Sequence, residues 1–151
     1  MGRKSRPNLI MKKVLTLVVA AFTTAVLVIC LGSQFSGTLA QQSLPELIID
    51  SQKMPGIAAH IKQAQAQGYP STLTRLTNKA QIDANRKAAC GNFARPIGYE
   101  CDEYPFASTH EGGNGASVAP VLPKEQRVQG GTMSAFYRKL QEGSKFKVIV
   151  R

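Results

Sequence analysis

A small α+β domain is the fold class predicted for the part of this chain that follows its N-terminal segment. Three observations predict it. Short extended runs interleave with stretches in which apolar residues recur at helical spacing. The second half reads strand, glycine turn, strand, helix, strand, which pairs two strands as a hairpin and then hands the chain to a helix. About 111 residues are available from Gln41 onward, enough for one modest core and few enough to gain from a covalent staple.

The first forty residues are set apart from that domain. Arg3, Lys4, Arg6, Lys12 and Lys13 precede an uncharged apolar run from Leu15 to Leu31, and Thr38-Leu39-Ala40 offers a small-residue cleavage point before Gln41. This is the layout of a secretory signal. The run is somewhat long, so an uncleaved N-terminal membrane anchor is the rival reading. Cys30 follows Val28-Ile29 without the small residues of a lipoprotein site and reads as an ordinary apolar position. The expected location is therefore secreted and extracellular, or else anchored at the outer face of the membrane or periplasmic.

Within residues 41–151, Leu44 to Asp50 predicts a strand that Met54-Pro55-Gly56 breaks. Ile57, Ile61 and Ala64 predict a helix that Gly68 and Pro70 stop. Thr72 to Leu76 alternates as a strand does. Asp83 is the expected cap of a short helix through Ala89. Gly91 to Gly98 is loop. Tyr99 to Ala107 and Ala116 to Leu122 are the two strands of the hairpin, with glycines between them. Pro123 to Gly131 reads as polar loop, and Met133, Phe136, Tyr137 and Leu140 predict an amphipathic helix over 132–141. Phe146 to Val150 is a terminal strand. His60 lies beside Ile61 on the first helix and reads as structural or exposed.

Fourteen of the nineteen Lys/Arg and all nine Asp/Glu lie beyond residue 40, so the domain carries about +5. Basicity permits a nucleic-acid partner without demonstrating one. Cys90 and Cys101 are an even count in an exported chain and read as a disulfide, with two free thiols as the alternative. Cys101 opens the most informative run, Cys101-Asp102-Glu103-Tyr104-Pro105-Phe106-Ala107-Ser108-Thr109-His110-Glu111-Gly112-Gly113. Three carboxylates this close together repel one another and are costly to desolvate without a cation. An acidic knot in a basic chain suits a metal-dependent enzyme acting on a polyanion: the knot holds a divalent cation and the surround holds phosphates. The plain alternative for Asp102 and Glu103 is a solvated turn or an ion pair with Arg86 or Arg95. For Glu111 it is a hairpin-turn position.

Read together, Gly98-Tyr99-Glu100-Cys101-Asp102-Glu103-Tyr104-Pro105-Phe106-Ala107 and Glu111-Gly112-Gly113-Asn114-Gly115-Ala116-Ser117-Val118 resemble the NucA/NucB family of secreted bacterial deoxyribonucleases. Ala59-His60-Ile61, Asn85-Arg86-Lys87, Gln129-Gly130-Gly131 and Phe136-Tyr137 extend the likeness over nearly all of residues 41–151. The resemblance implies a compact ββα-metal-like nuclease core, using Mg²⁺ or Mn²⁺ to cut DNA with little sequence preference. It implies Asp102 as general base, where related nucleases use histidine, with Glu103 and Glu111 at or around the metal. Gln126 departs from the pattern, standing where an asparagine is expected.

The resulting expectation is a disulfide-stapled, monomeric DNA endonuclease. Asp102, Glu103 and Arg86 carry the chemistry, and Glu111 and Gln126 are metal ligands. Lys87, Arg127 and His110 contact substrate, and Arg138 and Lys139 extend the basic track. Phe136 and Tyr137 are core. DNA is the partner, and the membrane is one only through an uncleaved N-terminal segment. On a cognate inhibitor protein the residues are silent. The alternative from another class is a non-catalytic basic module binding DNA or an anionic cell-wall polymer, a reading kept open by Gln126.

Overall fold

The computed structural model describes residues 43–151, and the expected signal or anchor lies outside them. Strand β1 (Glu46–Ile49) is followed by α1 (Pro55–Ala66), β2 (Thr72–Thr74), α2 (Lys79–Cys90), β3 (Glu100–Tyr104), β4 (Ser117–Val121), α3 (Pro123–Tyr137) and β5 (Lys145–Val150). β5 is the middle strand of a three-stranded sheet, parallel to β1 and antiparallel to β2. β3 and β4 form a separate antiparallel hairpin in which Asp102 lies opposite Ala119. This is the α+β class expected, and β3–β4–α3 supplies its ββα order. Among the described residues no helix is long and apolar enough to cross a membrane.

Helix α1 joins the two sheets. It packs on β3, β4, β5 and α3, because Ile57, Ile61 and Ala64 fall on one face and are fully buried. Leu47 and Ile49 of β1, Leu73 of β2, and Phe146 and Val148 of β5 meet that face, together with Tyr104 and Phe106 from the hairpin side. Full burial of such side chains contributes roughly 1.5–3 kcal/mol each, which makes this cluster the main source of stability. Gly68 ends α1 region with φ +97°, a conformation that L side chains avoid.

Two helix boundaries differ from the sequence expectation. α2 starts at Lys79, where the Asn78 side chain accepts the Gln81 amide at 3.1 Å. Asn is as good a cap as Asp. Asp83 therefore lies inside the helix, bonded to Lys79 at 2.9 Å and Arg86 at 3.4 Å. The segment expected as polar loop is the first half of α3, which runs from Pro123 and ends at Tyr137, before Leu140. Pro123 suits the first helical turn. The inner face of this half is polar, with Glu125 and Gln129 buried, so no apolar stripe marked it. Gly130 and Gly131 each cost about 1 kcal/mol relative to alanine in a helix, and they looked like breakers.

The buried Glu125 explains how α1 begins without a local cap. Its Oε2 accepts the amides of Gly56 at 2.8 Å and Ile57 at 3.1 Å, placing a carboxylate at the positive end of the helix. A Cβ at Gly56 would sit 3.2 Å from the same oxygen, so glycine lets the carboxylate approach without the small shift that a side chain would force. The Cys90–Cys101 disulfide ties the end of α2, a helix with no buried residue of its own, to β3. Closing so short a loop contributes about 3 kcal/mol in the chain-entropy model.

Glu125→Ala should lower the unfolding free energy by about 2 kcal/mol, because two amides lose their acceptor at a buried helix end. Urea denaturation read by circular dichroism measures it, and a loss under 0.5 kcal/mol would refute the capping role.

Candidate active site

Alternation along β3 sends Asp102 and Tyr104 inward and leaves Glu103 partly exposed. Asp102 is 1% exposed. A buried carboxylate needs partners, and two other elements supply them. His60 of α1 places Nδ1 2.7 Å from Oδ2, and Gln129 of α3 donates its Nε2 to Oδ1 at 3.0 Å. The other ring nitrogen of His60 lies 2.9 Å from Ser117 Oγ on β4. One carboxylate thus gathers α1, α3 and, through the imidazole, β4.

Glu103 points toward α2. Its Oε1 is 4.0 Å from Arg86 Nε. Burial, and then the charge of the neighbouring Asp102, push its carboxyl up to about 7, with Arg86 only partly offsetting them. Cys90 Sγ lies 3.4 Å from Glu103 Oε2. A disulfide sulfur has neither a proton to donate nor a thiolate to ligate, so this is packing. Cys90, Cys101 and Glu103 are close enough to share an ion, but the sulfurs are unsuited to hold one while they are bonded to each other.

Asp102 and Glu103 border a cleft of about 1090 Å³ whose walls carry Arg75, Arg86, Lys87, Arg95 and Arg138. Gln126 also lines it; its Nε2 donates to Cys101 O at 2.9 Å. Asp83 and Glu100 also line it, so five cations stand against four carboxylates, two of which, Asp102 and Glu103, are withdrawn from solvent; the cationic walls suit a polyanion.

The structure therefore brings together Asp102, Glu103, Arg86, Lys87 and Gln126, beside the Cys90–Cys101 pair. It does not bring Glu111, His110 or Arg127 to this cleft. Glu111 Oε2 accepts the Thr74 amide at 2.9 Å, holding the β2 edge. His110 Nε2 lies 2.6 Å from Glu142 Oε1 at the surface. The Thr77 hydroxyl and amide, together with His110, hold that glutamate down to about 2. The reason is that β3 stops at Tyr104 and the chain turns, so strand alternation does not carry through to residue 110. Arg127 is exposed on α3. Lys139 lies past the end of that helix, and Phe136 and Tyr137 pack against the core as expected.

Sequence reasoning missed His60 as an Asp102 partner, and also Gln129 and Arg75. For His60 a signal existed. It completes the i, i+3, i+4, i+7 stripe with Ile57, Ile61 and Ala64. A histidine inside an apolar stripe must find a buried polar partner. Gln129 carried no such signal.

Comparison with known proteins agrees with the resemblance. The family model described as Deoxyribonuclease NucA/NucB matches residues 60–149. The DNA-entry nuclease of Bacillus subtilis (strain 168) is 28% identical over 122 residues, covering 78% of this chain and 82% of that protein.

His60→Ala should cost about 3–5 kcal/mol of stability by stripping a buried carboxylate of its partner, measured by urea denaturation; a loss below 1 kcal/mol would contradict the geometry. Glu103 gives a pH signature. Its folded value of about 7 exceeds the reference 4.5, so its ionisation destabilises the fold as pH rises from about 4.5 through 7. With chelator present, Glu103→Gln should match wild type near pH 4.5 and exceed it at pH 8 by up to about 3 kcal/mol. Equal stability of the two proteins at pH 8 would refute the buried-carboxyl assignment.

Proposed function

The chain belongs to the NucA/NucB deoxyribonuclease family, and on that premise we propose that it is an exported, divalent-metal-dependent DNA endonuclease with little sequence preference, hydrolysing phosphodiester bonds with Asp102 as general base. The observation that carries the reading is Asp102 itself, buried between His60 and Gln129 at a cleft walled by cations. The disulfide fits an oxidising location, extracellular, periplasmic or at the outer face of the membrane.

The donors fit a hard cation. Glu103 is a desolvated carboxylate whose ionisation a cation would favour. Gln126 directs its amide nitrogen to a carbonyl, leaving its side-chain oxygen as a second hard donor. Glu103 and Gln126 would hold Mg²⁺ or Mn²⁺. Glu111, placed elsewhere, drops from that set. When bound, the cation supplies charge neutralisation on the nonbridging and leaving oxygens of the phosphate.

The protein groups do the rest. An ionised carboxylate offers about four lone-pair positions. His60 and Gln129 engage one on each oxygen of Asp102, which leaves acceptor positions for the proton of the attacking water. The same two partners keep the carboxylate from rotating, so its orientation is set before substrate arrives. Arg86 and Lys87, on one turn of α2, hold the phosphate that is attacked and offset its charge.

The test is incubation of the oxidised, folded protein with supercoiled plasmid and Mg²⁺ or Mn²⁺, with EDTA in parallel. EDTA should abolish cutting, and Asp102→Asn should lower the rate by about 10²–10⁴-fold, the usual contribution of a general base. Retarded but intact DNA with either metal would favour the non-catalytic binding module. Undiminished cutting by Asp102→Asn would remove Asp102 as base.

A further inference from the structure

We propose that Arg75 is a preorganised phosphate site of this cleft, gripping a DNA backbone phosphate next to the one that is cleaved. The inference rests on DNA being the substrate and goes beyond the hydrolytic residues assigned above.

Arg75 follows β2 and lines the cleft, and its guanidinium is stacked on an aromatic ring: the guanidinium carbon lies 4.0 Å from the Tyr137 ring centroid. The ring is itself fixed. Its hydroxyl accepts from Ser108 Oγ at 3.0 Å, and it packs edge-on against Phe146 with centroids 5.7 Å apart. Arg75 Nη1 donates to the carbonyls of Leu76 and Ser108. Two anchors and a stacking surface hold the guanidinium still, while Nη2 has no hydrogen-bond partner among the described residues.

The charge is also uncompensated. Arg86 has Asp83 and Glu103 beside it, whereas among the described residues no carboxylate lies within ion-pair distance of Arg75. The Nε of Arg75 is buried and has no acceptor. A fixed, stacked, unpaired guanidinium bordering a cleft is the arrangement that binds phosphate with little further loss of side-chain freedom. It is a cation held for an incoming anion, where Arg86 is shared with resident acids.

Binding and cutting are read separately. Fluorescence anisotropy of a short duplex in EDTA, across a salt series, gives affinity and the slope of log K against log salt. Arg75→Gln should weaken binding by about ten- to a hundredfold, the loss of one charge-assisted hydrogen-bonded contact, and make the slope shallower by about one. Arg75→Lys should restore the slope and fall between the two in affinity, because the ammonium lacks the planar fork. Lys53→Gln removes an equal charge at an exposed residue paired with Asp50, and should leave the slope at the wild-type value. With metal present, Arg75→Gln should raise KM and leave kcat within about threefold.

Wild-type affinity and slope in folded Arg75→Gln would overturn the proposal, as would an equal change in Lys53→Gln. If Arg75→Gln does not fold, Arg75→Lys decides: affinity equal to wild type would overturn the proposal. Failure of the wild type to cut, with these binding differences intact, would sink the nuclease chemistry and leave the phosphate site standing.

Discussion

The fold and the site both depend on one buried carboxylate. Asp102 is at once the residue placed at the cleft and the point where α1, β3 and α3 are joined by side chains, with β4 added through His60. An uncompensated charge in such a position would be strongly destabilising. The sequence must therefore supply a histidine and a glutamine from segments 42 and 27 residues away, and the chain has to close around them. The fixed orientation of the Asp102 carboxylate is thus a by-product of the requirement that a buried acid be satisfied.

Charge is distributed in two layers around that point. Acids inside the fold are given local partners or tasks: Glu125 caps α1, Glu111 holds the β2 edge, and Asp102 has its imidazole. Glu103 is the exception, half-buried beside another acid with only a distant guanidinium. Five of the fourteen cations beyond residue 40 line the cleft walls. A domain built this way presents a positive rim to a polyanion and keeps a desolvated carboxylate at the centre, where a cation is most favoured. The disulfide adds rigidity at that centre, since it fixes α2, with Arg86 and Lys87, to the strand that carries Asp102 and Glu103.

Legibility tracked apolar pattern. The α1 stripe, the hairpin and the β5 strand are hydrophobic signals, and each was found near its expected bounds. α3 was misread because its buried face is Glu125 and Gln129, residues whose burial makes sense only once α1 and Asp102 are against them. A cap at Asp83 starts α2 too late, because Asn78 is an equally good cap lying earlier in the chain and its side chain takes the Gln81 amide.

By itself, the sequence determined the α+β class, the cysteine pair, the basic balance, and the motif in which Asp102 and Glu103 sit, since these follow from composition, period and local spacing. Tertiary structure alone decided which polar groups meet. It joined His60 and Gln129 to Asp102, turned Glu111 and His110 to other tasks, and laid Arg75 on Tyr137. Those pairings link residues up to 62 positions apart, and no local propensity encodes them. Each buried polar group accepts whatever complementary partner the packed core brings within reach.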